Sequence, residues 1–270
     1  MSRRPVRVVE NVHVAMSRTG GDGAADRPLA PVRRPRPTAP ALDYYLVRPR
    51  LPDDRPAAPP EGIVVEEFLF GADHTVLRVD SAAWTPGGPG WWTSSALSRS
   101  IRADPELRGR VVGVPRHRAE VVYRQLGGAT LPDEATLRGH LRAGDTRAAS
   151  APLLLSPERV TPGFHSTRVY RVLFANELGP DDLVQLSSGW PMTRTDPIRS
   201  NGVVGTARRR IGADVFRWDL RRIGMIGAYG LDPTVDLVTG RDDGVRPVLR
   251  ELTTTLRLRG LIPVTVERFS

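Results

Sequence analysis

Six arginines fall within the fifteen positions from Arg208 to Arg222, and Phe216, Trp218 and Leu220 are threaded among them. A guanidinium is always charged and presents a planar fork of donors that matches a carboxylate or phosphate. Positions four apart share a face in both a helix and a strand. Arg217 and Arg221 therefore point together, and Phe216 and Leu220 point together on another side. The two conformations differ at Asp219. In a strand it sits between the two arginines and can neutralise them, whereas in a helix it lies about 200° from Arg217 and leaves both forks free. Asp214 and Gly224 would cap a helix, yet Val215, Phe216, Trp218 and Ile223 favour a strand, so both stay open. Upstream, Arg210 follows Asn201, Gly202 and Gly205, whose backbone turn would add N–H donors for an anion. The expected ligand set is Arg210, Arg217 and Arg221 with Trp92 as a stacking or pocket-mouth residue. The competing reading is a solvated face paired with its own acids, the commoner fate of arginine runs.

A second candidate is His165, placed with Ser166 just before the strand-like run "TRVYRVLFA". At a strand mouth it could serve as a general base, which makes it the one catalytic candidate. Glu177 follows twelve residues later, and a straight strand of that length spans roughly 40 Å, so the two are not expected to form a dyad. An ordinary loop histidine is the competing reading. The remaining histidines, His13, His74, His117 and His140, are dispersed and show no His-Glu-x-x-His spacing. No metal and no cofactor are expected. "LSSGW" lacks the first glycine of a nucleophile elbow, and Gly224, Gly227 and Gly230 have the wrong spacing for a dinucleotide fingerprint. Trp84, Trp91 and Trp92 bracket the loop "TPGGPG" and read either as a lid over a ligand or, more commonly, as anchors holding that loop to a core.

Two absences narrow the chemistry. With no cysteine there is no thiolate nucleophile, disulfide or iron–sulfur ligation, and with no lysine there is no Schiff base or Walker-type phosphate lysine. The formal charge of +9 raises the expectation of anionic partners. It is discounted, because lysine-free, Ala-, Gly- and Pro-rich composition is what strongly GC-rich coding produces. The first 60 residues hold 11 arginines against 6 acids and the rest 28 against 24, so the body is nearly balanced. No apolar run of about eighteen residues predicts a membrane span, and Glu10, Asn11 and His13 interrupt any leader-like stretch. A soluble, cytoplasmic protein is expected.

These groups need a scaffold. Ten of the 25 prolines lie between Pro28 and Pro60, so residues 1–61 read as a Pro/Arg-rich extension in which Val6–Val14 and "LDYYLVR" at Leu42–Arg48 could dock. Pro28/Pro31, Pro37/Pro40 and Pro56/Pro59 match a polyproline ligand spacing, the commoner reading being a low-complexity linker. A single domain is expected over 62–270. It opens with a hairpin, "IVVEEFLF" and "HTVLRVD", and continues with a helical block over about 93–144. A buried strand "RVVGV" lies inside that block. "STRVYRVLFANE" carries apolar residues on both faces, as a strand covered on each side would. Near the end, Val245, Val248, Leu249, Leu252 and Leu256 form one helical stripe before a last strand, "LIPVTVERF", whose Pro263 places it near an edge. The sum is an α+β fold with a mostly antiparallel sheet.

Three functions fit: a domain binding an anionic small molecule, with or without catalysis; a protein-interaction or assembly component that docks through the Pro-rich arm; and, less favoured, a nucleic-acid-binding protein.

Overall fold

The computed structural model describes residues 41–50, 58–141, 160–198, 201–224 and 227–270. The chain folds as α+β, with two antiparallel sheets. The first has the order β4-β3-β2-β1-β5, from β1 (Asp43–Val47), β2 (Gly62–Phe70), β3 (Val76–Trp84), β4 (Trp92–Thr93) and β5 (Val111–Val114). The second has the order β11-β6-β10-β9-β8-β7. It is built from β6 (Ser166–Ala175), β7 (Met192–Arg194), β8 (Val203–Ile211), β9 (Asp214–Arg222), β10 (Ala228–Leu237) and β11 (Ile262–Arg268). The helices are α1 (Ser95–Ala103), α2 (Pro105–Gly109), α3 (Arg116–Gln125), α4 (Glu134–His140), α5 (Pro180–Gly189) and α6 (Val245–Arg257).

The start of the domain differs from expectation. The boundary at residues 61/62 moves back, because Asp43–Val47 is an interior strand, paired with β2 on one side and β5 on the other. The physical reason is its payload. Tyr44 and Leu46 enter the core beneath α3 and α4, while Tyr45 enters the core on the opposite face, so this short segment buries apolar surface both ways. Pro105 also does more than end α1. Asp104 accepts a hydrogen bond from the Glu106 N–H at 2.9 Å and starts α2. The expected docking piece Val6–Val14 lies outside the described residues, as do the polyproline spacings apart from Pro59 and the end of the helical block after residue 141.

The arginine-rich stretch resolves as a β-hairpin, β8 and β9, turning at Gly212 with φ 60°. Strand period two then sorts its residues. Phe216, Trp218 and Leu220 are buried against α5 and α6, and Arg217, Asp219 and Arg221 lie on the other face, half-buried. That outer face is polar across the sheet, so β6 is covered fully on one side only. Its Tyr170, Val172 and Phe174 are buried while Val169, Arg171 and Leu173 are half-buried, a correction to the strand expected to be covered on both. The α6 stripe inserts into the same core at 4% exposure or less. Its far end reaches the first sheet, where Arg257 Nε lies 3.1 Å from the buried Asp43. Edge strand β11 takes Pro263 as anticipated, with a bulge beside it.

Candidate functional site

The outer face of the second sheet is a lattice of ion pairs set by strand register. Arg217 stands directly opposite Thr234, and Arg221 opposite Gly230, on β10. Each arginine reaches the acid two residues further along. Arg217 Nη2 lies 2.7 Å from Asp236 Oδ2, and Arg221 Nε lies 3.4 Å from Asp232 Oδ2. The pattern behind this is an Arg, Arg pair four apart on β9 meeting an Asp, Asp pair four apart on β10. Asp219 neutralises neither arginine by direct pairing. It faces Asp232 across the ladder and Thr206 on β8, and its carboxyl is pushed up by burial and then by the Asp232 charge, against the pull of Arg221.

The pairs are unequal. Asp236 is 0% exposed, and its Oδ1 accepts hydrogen bonds from the Thr161 and Thr167 hydroxyls at 2.7 and 2.8 Å. Its Oδ2 meets Arg217 as an ion pair without an aligned hydrogen bond. Asp232 is instead shared. Arg171 on β6 takes it with both prongs, Nε to Oδ1 at 2.6 Å and Nη2 to Oδ2 at 2.8 Å, so Arg221 has only the longer contact plus the Asn201 carbonyl. Arg222, on the alternate side of β9, donates to Glu177 at 3.1 Å. Arg171, Arg221 and Arg222 nevertheless line one open cleft of about 420 Å³ with Asn201, Ile223 and Gly224. The Gly202 N–H is already bonded to Pro197 and is not offered to a ligand.

The expected ligand set is therefore dispersed. Arg221 lies in the cleft; Arg217 is held on Asp236; Arg210 is exposed near the end of β8. Trp92 belongs to the other sheet, where it lines a separate hollow of about 260 Å³. Trp84 and Trp91 pack on Tyr123, with ring centroids 4.5 and 6.0 Å apart, and hold the glycine loop down. His165 is exposed beyond the end of β10, its N–H bonded to the Leu237 carbonyl, and no side chain among the described residues pairs with its ring.

One of the dispersed histidines is drawn into a charged cluster. His74 closes the β2–β3 turn at φ 66° and is buried, its Nε2 3.1 Å from Asp242 Oδ2. Asp242 also takes Arg168, and Tyr170 lies beside the imidazole. Burial lowers the His74 pKa, against the pull of Asp242. Nothing local signalled this, since Asp242 joins from 168 positions along the chain.

Among the described residues no group of three or more His, Asp or Glu is placed to hold a metal ion, and no helix is long and apolar enough to cross a membrane. The chain matches no known protein family, no curated protein and no solved structure.

Proposed function

We propose that the protein binds a small oxyanion, a phosphate or carboxylate, in the cleft between Arg171, Arg221 and Arg222. The observation that carries this reading is the sharing of Asp232: the Arg171 fork holds both of its oxygens closely, so Arg221 keeps only the 3.4 Å contact to it at the cleft wall. Arg222 supports it. Its partner Glu177 is 55% exposed and Arg222 itself 47%, and such surface pairs are worth about 0–1 kcal/mol. An arriving anion can displace Glu177 at little cost. The reading drops Arg210, Arg217 and Trp92 from the site and keeps Arg221.

Titration with inorganic pyrophosphate and with succinate at low ionic strength, followed by calorimetry, tests it. Arg221→Gln and Arg222→Gln should each weaken binding about tenfold, the loss of one charge-assisted hydrogen bond, and Arg210→Gln should leave it unchanged. Affinity that is absent at low salt, or that survives both cleft substitutions, would refute the proposal.

A further inference from the structure

The hollow that contains Trp92 has a chemistry unlike that of the arginine cleft. It lies at one end of the first sheet, where β1, β2 and β3 meet α1 and α2. Its walls are Val47, Val64, Ala83, Trp92, Leu97 and Leu107. Leu97 and Leu107 stay only partly buried, whereas Ile101, one turn along α1, is 1% exposed in the same cluster. Apolar side chains facing a void lose dispersion partners on that side, and an apolar cavity holds water poorly. At about 260 Å³ it falls just under the roughly 300–1,000 Å³ of drug-sized sites. That size suits a single ring with a short chain.

The polar side chains are few: Glu61, Thr85, Arg110 and the Trp92 indole N–H. Arg110 is fixed by two of its donors, Nε to the Arg48 carbonyl at 2.8 Å and Nη2 to Glu61 at 2.5 Å, and its Nη1 has no partner among the described residues. Trp92 and Thr85 also line the hollow and make no side-chain hydrogen bond among those residues, so the donors of its lining are not all taken. Glu61 is the sole carboxylate in the lining and is 49% exposed, free to yield its place.

We infer that this hollow binds a small carboxylic acid with one apolar ring, its ring against Trp92, Leu97 and Leu107 and its carboxylate on Arg110. The site shares no residue with the arginine cleft, so either proposal stands or falls alone. The probe is 3-phenylpropanoate, with 3-phenylpropanol as its uncharged counterpart, and the readout is the Trp92 indole N–H resonance, assigned through Trp92→Phe. The acid should shift that resonance saturably. Arg110→Gln should weaken the acid about tenfold and leave the alcohol unchanged, and Leu107→Trp should exclude both by filling the hollow from α2. No shift with millimolar acid, or equal losses for acid and alcohol in Arg110→Gln, would overturn the inference.

Discussion

Replacing Arg217 by glutamine separates a structural arginine from a ligand clamp. The substitution removes the counter-charge of Asp236, whose carboxylate is fully buried. What remains among the described residues is the pair of threonine hydroxyls, both on Oδ1, while Oδ2 loses the cation paired with it. Stripping one partner from a buried ion pair costs about 3–5 kcal/mol. Arg217 is 43% exposed, so water screens part of the interaction, and the loss falls to about 2–3 kcal/mol. For a domain of this size that lowers Tm by about 4–12 °C. Urea unfolding followed by tryptophan fluorescence measures it directly. Adding Asp236→Asn should recover more than half the loss, because the abandoned charge goes with it. Arg208→Gln and Arg210→Gln, on exposed neighbours, should stay within about 0.5 kcal/mol of the parent. An Arg217→Gln protein as stable as the parent would refute the assignment and return Arg217 to the pool of groups free for a ligand.

Two further outcomes follow from buried charge elsewhere. Glu66 is 1% exposed and accepts from both Arg102 prongs at 2.8 and 2.7 Å and from Ser98 at 2.6 Å. Arg102→Met should therefore cost about 3–5 kcal/mol, whereas Glu66→Met with Arg102→Met should return to within about 2 kcal/mol of the parent; additive losses in the urea cycle would contradict this. At His74 the folded pKa lies below its ordinary 6.5, so the unfolded chain binds the extra proton. Its contribution to stability is complete above pH 6.5 and is lost as pH falls from there through the folded value. Asp242, depressed below 3.8, acts only further down. His74→Asn keeps a residue that tolerates φ 66° and should flatten the decline in Tm between pH 7.5 and 5.5; parallel curves would count against the cause.

How much of this was legible depends on the range of the signal. α6, the β2–β3 hairpin and edge strand β11 could be read because their stripes, turns and prolines are local. β9 was ambiguous, since Asp214 and Gly224 imitate helix caps, and the sheet decided in favour of the strand by burying Phe216, Trp218 and Leu220 together. β1 was undervalued because five residues among prolines look like linker until β2 and β5 flank them. The ionic partners were harder. Asp232 and Asp236 were visible as residues, and their spacing of four matches that of Arg217 and Arg221, but only register shows that β10 lies beside β9. The cleft combines β6, β9 and the turn at Asn201, and no periodicity within any one of them announces it.

The placement of β1 also bears on synthesis. Asp43 is joined to Arg257 at the end of α6, and the Tyr44 carbonyl accepts from the same guanidinium across 213 positions. At about 5–20 residues per second on the ribosome, the first strand waits on the order of ten seconds or more for that partner to be made. Until Arg250 and Arg257 are made, Asp43 lacks both arginines that pair with it in the folded chain, so the joining of β1 to α6 waits on the synthesis of that helix.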